Sequence, residues 1–198
     1  MKRLIPITLL MFCCSCSSDK TTTEQLTLDS IYGSQLVDSD YLKYADRKDI
    51  GLQTEQVRKD FGIFDERHHK MLHVDAEELA EFNFDFFLPG LNVILGKRHF
   101  HLDIEPAANY ETSNEVTLNG EKIQLYSDEE FGKGNYRDKA ARRFFKKLNE
   151  LLKKHHREES FFLLYDDNDL HAFLLTAKQY KIIAERYKDE PLEIPYKP

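Results

Sequence analysis

Cysteine is missing from nearly the whole chain: Cys13, Cys14 and Cys16 are the only three in 198 residues, and none follows position 16. That excludes a disulfide framework and a cysteine nucleophile in the body of the protein. Tryptophan is absent and glycine numbers only 8. Neither a glycine-rich phosphate loop nor a G-x-S-x-G elbow occurs, which argues against the commonest nucleotide and serine-hydrolase chemistries. No apolar run approaches the roughly 20 residues that a membrane-spanning helix needs. There is no internal repeat. Excess basic charge is lacking too: the net charge is −7, which argues against nucleic acid as a partner.

What is present begins at the first residues. Lys2 and Arg3 precede the short apolar run LIPITLLMF (Leu4 to Phe12), and Cys-Cys-Ser-Cys follows. A basic start, a short apolar core and a small-residue exit have the form of an export signal. Cys16 behind Ser15 resembles the lipobox of bacterial lipoproteins, in which a cysteine after a small residue is acylated and becomes the mature N-terminus. Cys13 stands where that family has leucine. The resemblance covers only these first residues and implies a lipid on Cys16, a membrane as partner, and an address in the cell envelope. Ser17 is not the aspartate linked to inner-membrane retention, so the resemblance favours the outer membrane, facing periplasm or surface. The plainer alternative, a cleaved signal without lipid, needs no cysteine at this point.

The expected organisation follows. Residues 1–15 are a lipoprotein signal peptide, and 16–25 a small, polar, flexible tether. Residues 26–190 form one α+β domain, and 191–198 a proline-rich extended tail. Aromatic residues make up 12% of the chain, enough to exclude disorder. Without Lys2 and Arg3 the charge is −9, unevenly spread: residues 137–157 alone are +7.

Short helices are expected at 38–44 and 54–61, and a strand at 69–74. Asp75 to Glu78 reads as a helix start, with Leu79, Phe82 and Phe86 at helical spacing and Pro89-Gly90 as the stop. In KRHFHLDIE (97–105), Phe100, Leu102 and Ile104 alternate with polar residues, the pattern of a half-buried strand. Asn119-Gly120 predicts a type I′ hairpin within 115–126 that places Val116 opposite Ile123. Residues 136–156 carry the stripe Ala141, Phe144, Phe145, Leu148, Leu151 and Leu152 and predict a long basic amphipathic helix. Residues 161–165 and 170–175 read as strands around the turn 166–169. Thr176 to Gln179 is a capping box opening a last helix. The sum is α+β: a mostly antiparallel sheet packed with helices on one face.

Three constellations could carry function. His99, His101 and Asp103, spaced by two, would share one strand face and could ligate zinc or a similar divalent ion. The plainer reading is a solvated polar face with no cofactor. His68, His69 and His73 form a second cluster, better suited to a surface or loop role. Arg142, Arg143, Lys146, Lys147, Lys153 and Lys154 on the long helix could meet a protein partner or anionic headgroups, or simply be a solvated face. The expected function is a lipid-anchored envelope protein whose domain binds an unknown protein without catalysing a reaction. An immunity-type inhibitor is one version by analogy. The alternative is a metal-dependent envelope hydrolase using His99, His101 and Asp103.

Overall fold

The computed structural model describes residues 18–198; the signal peptide expected at 1–15 and the acylation expected at Cys16 lie outside the described residues. In chain order come α1 (Ser18–Val37), α2 (Ile50–Asp60), β1 (Met71–Val74), α3 (Ala76–Ala80) and α4 (Leu88–Gly96). Then follow β2 (Ile104–Pro106), α5 (Tyr110–Ser113), β3 (Glu115–Leu118), β4 (Glu121–Gln124) and α6 (Asp128–Gly132). The chain closes with α7 (Tyr136–Lys154), β5 (Ser160–Leu164), β6 (Leu170–Leu175) and α8 (Ala177–Arg186). Two antiparallel three-stranded sheets result, ordered β1-β6-β5 and β2-β3-β4. The fold is α+β.

The β1-β6-β5 sheet is covered on both faces, not on one as expected. Successive residues of β5 and β6 serve opposite cores. Phe161, Leu163, Ala172 and Leu174 join α3, α4 and α7, while Phe162, Leu164, Phe173 and Leu175 join residues of α2 and α8. Strands buried on both sides have no polar face to display, so SFFLL and LHAFLL read as near-continuous apolar runs.

Several expectations hold. Asn119 (φ 47°) and Gly120 (φ 81°) make the tight turn between β3 and β4, and Val116 faces Ile123. The α7 stripe is buried throughout. Thr176 and Gln179 complete a reciprocal capping box at α8.

Four local expectations give way. Residues 38–44 are turns. Pro89-Gly90 opens α4 instead of stopping a helix, because proline at a first turn sacrifices an N–H that has no helical partner anyway. The expected strand at 97–105 pairs only from Ile104. Upstream, asparagine side chains replace a neighbouring strand. Asn92 exchanges two hydrogen bonds with the Leu102 backbone (3.0 and 2.9 Å), and Asn119 spans the His101 carbonyl and the Asp103 N–H (3.0 and 2.7 Å). Lastly, the tail is docked. Residues 191–193 form a 3₁₀ turn and Tyr196 exchanges backbone hydrogen bonds with Leu163 (2.8 and 2.7 Å).

The flexible tether is also helical from Ser18 onward. Threonines are poor helix formers, and the contacts that fasten α1 to the domain lie further along the helix. Asp29 of α1 takes a 2.6 Å hydrogen bond from the buried Arg186 of α8. Gly33 lies so close to α2 that a Cβ there would stand 2.0 Å from the Val57 carbonyl oxygen.

Candidate binding groove

A cleft of about 370 Å³ runs between β1, the turn before it and α4. Its walls follow from local sequence. Phe86 and Phe87 are adjacent, so they point apart. Phe87 is buried against Phe84 and Phe144, with ring centroids 6.0 and 5.7 Å away. Phe86 is left 70% exposed on the cleft wall. Val93, 54% exposed, stands one turn along α4 beyond Gly90. Met71 and Leu72 of β1, with Ile94, contribute buried apolar surface below. An apolar floor with a few polar groups at the edge is the usual make-up of a binding cleft.

The polar rim comes from the turn at residues 66–69 and from Asp46. Asp46 accepts from His69 Nε2 (3.0 Å) and Lys97 Nζ (3.3 Å), and these two hydrogen bonds hold its carboxyl below the ordinary aspartate range. Arg67 is committed as well. Its Nε and Nη2 grip Asp65 at 3.0 to 2.6 Å, and Nη1 lies 3.9 Å from Asp49. The Asp65 carboxylate in turn raises the guanidinium pKa. Glu66 is exposed, and no ion pair to it is found among the described residues. At the far end His73 faces Asn168, whose carbonyl oxygen lies 2.6 Å from Nε2 and so fixes that nitrogen as the protonated one. The cross-strand neighbour His171 meets it edge-on, ring centroids 5.4 Å apart.

The three histidines at 68, 69 and 73 thus do different things. His69 belongs to the rim and His73 to the β1–β6 pair. His68 is fully buried, edge-on to Tyr41, and neither ring nitrogen has a hydrogen-bond partner.

The other expected sites are dispersed. His99 has a left-handed backbone (φ 54°), which breaks the two-residue alternation that would align it with His101 and Asp103. His101 and Asp103 do meet at 3.3 Å, in solvent. Among the described residues no group of three or more His, Cys, Asp or Glu side chains is arranged to hold a metal ion. On α7, Arg142 pairs with Asp138 (2.7 Å) and Arg143 grips Glu130 with both terminal nitrogens (2.8 Å each). Lys147 and Lys154 converge on Glu121 at 2.7 and 2.6 Å and hold its carboxyl down to about 2. Four of the six basic residues are therefore engaged within the molecule. Lys146 and Lys153 are exposed, with no ion pair found among the described residues.

One polar cluster gave no sequence signal. Lys70, at the foot of β1, is buried against Glu159 and donates to Gln179 (3.0 Å). Arg98 reaches the same carboxylate through Nε and Nη2 (2.7 and 3.1 Å). Burial pushes the Lys70 ammonium down to about 8, against the pull of Glu159. The group ties β1, α4, β5 and α8 together and does not line the groove. A lone Lys, Arg and Glu far apart in sequence carry no motif.

The chain matches no protein-family model, no curated protein and no solved structure.

Proposed function

We propose that this protein is a lipid-anchored component of the bacterial cell envelope, held through acylated Cys16, whose domain works by binding another protein. The anchoring half rests on the sequence: every cysteine falls in residues 13–16, behind a basic start and a short apolar run. The binding half is carried by one observation, the cleft between β1 and α4 with Phe86 and Val93 exposed along it. Large apolar side chains flanking a concave, apolar-floored surface are what a recognition site requires. The outer membrane is the favoured location by the same lipoprotein resemblance.

The test places a photo-crosslinking amino acid at Val93 or at Leu192 in the full chain, expressed in its native envelope. Leu192 is the control because it is exposed (82%) on the tail and lines no cleft described above. A discrete adduct from position 93 and none from 192 is expected. Equal labelling at both positions, or none at 93, contradicts the reading.

A further inference from the structure

We infer that His73 and His171 form a site for an imidazole-preferring divalent metal ion, zinc or copper, at the open end of the β1-β6-β5 sheet. This goes beyond the reading of the domain as a binding module and does not depend on it.

The strands place the two rings. His73 of β1 and His171 of β6 stand directly opposite each other in the antiparallel register, so both side chains leave the same face. Met71 and Phe173, the buried pair two rungs away, lie on that face in the core that α2 and α8 share. At the histidine rung the cover is incomplete: His73 is exposed and His171 half-buried. Phe64 and Tyr165 meet the His171 ring edge-on, with centroids 5.6 and 5.8 Å away, and so limit its rotation.

Hydrogen bonding selects the free nitrogens. His73 Nε2 lies 2.6 Å from the Asn168 carbonyl oxygen, and His171 Nδ1 lies 2.8 Å from that of Asp169. A carbonyl only accepts, so each of these nitrogens carries the proton. His73 Nδ1 and His171 Nε2 keep their lone pairs, and no hydrogen bond to either is found among the described residues. One ring nitrogen donating to a backbone carbonyl while the other ligates is the usual outer shell of a metal-bound histidine. The two centroids are 5.4 Å apart. Imidazoles sharing one tetrahedral ion, each nitrogen about 2.0–2.1 Å from it, have centroids roughly 5 Å apart. The carboxylates of Asp169 and Glu66 also act on His171, and their field favours a cation. Two protein ligands leave the other positions to water, so the ion is exchangeable, unlike a closed structural zinc.

The full-length protein in detergent, without a histidine tag, tests this. Zinc titrated by calorimetry should bind once per chain. At about tenfold excess over its dissociation constant it should raise the melting temperature by about 3–5 °C. His73→Ala and His171→Ala should each weaken zinc binding at least about tenfold, the scale at which even supporting residues matter at metal sites. His101→Ala, whose ring meets Asp103 in solvent, is the control and should change neither quantity. Copper, which imidazole sites hold more tightly than zinc, gives a readout that needs no variant: the electron spin echo spectrum of the loaded protein should show two coordinated imidazoles. Because His73 is exposed, its loss leaves the fold intact, which circular dichroism checks. No zinc binding, binding that survives His73→Ala, an equal loss in His101→Ala, or a copper spectrum with a single imidazole would each overturn the inference.

Discussion

Glu159 sits between two buried cations, and the balance there is uneven. Lys70 and Arg98 bring two positive charges to one carboxylate, which their hydrogen bonds and charge hold below its ordinary pKa despite the opposing effect of burial. Removing the anion should hurt more than removing a cation. Glu159→Gln strands two buried charges and should cost about 3–5 kcal/mol in urea unfolding. Lys70→Met leaves the Arg98–Glu159 pair neutral and should cost less. Equal losses would show that the cluster's charge is not what matters. His68 makes a second residue-scale prediction. Burial pushes its imidazole down to about 4, so the native state refuses a proton that the unfolded chain accepts below about pH 6.5. Stability from this group is complete above that pH and falls as pH drops toward 4, by on the order of 3 kcal/mol in all. His171, also lowered by burial, acts in the same direction. His68→Phe should flatten the fall in melting temperature between pH 6.5 and 4 but not abolish it. An unchanged slope would mean His68 is protonated in the fold.

At the scale of elements, the outer edge of β5 is sealed by side chain and tail. Asn149 of α7 donates to the Phe161 carbonyl (2.9 Å) and accepts from its N–H (2.6 Å), and Tyr196 pairs with Leu163 next along the strand. An unsealed edge invites pairing with other chains. Asn149→Leu orphans both Phe161 groups and should cost about 2–6 kcal/mol by denaturant titration, at 1–3 kcal/mol per unsatisfied group. A loss under about 0.5 kcal/mol would show that water replaces the amide. The same asparagine device explains what the sequence could and could not convey. The Asn119-Gly120 turn and the α7 stripe are local signals, and both elements form where the pattern places them. The alternation in KRHFHLDIE truly marks Phe100 and Leu102 as buried. Its hydrogen-bond partners are side chains of α4 and of the hairpin turn, and alternation says nothing about partners. The docked tail was illegible for the same reason: its backbone pairs with Leu163, far away in sequence.

Over the whole molecule, the groove is assembled from three separated segments around Asp46, residues 66–73 and residues 86–94. None carries a motif alone. The histidine repeat that looked most like a site is undone by one left-handed residue, and the basic helix spends most of its charge internally. The proposed anchoring rests on the first sixteen residues alone: a basic start, a short apolar run and the clustered cysteines. If Cys16 bears the lipid, the described helix starts two residues later, and the Asp29–Arg186 pair joins that helix to α8. The domain then stands near the bilayer surface without a long spacer. Intact-mass spectrometry of the protein extracted from membranes tests the anchor at its source. The account expects a chain that begins at Cys16 and carries acyl mass on that residue. A chain that retains residues 1–15, or one whose mature N-terminus is unacylated, would contradict it.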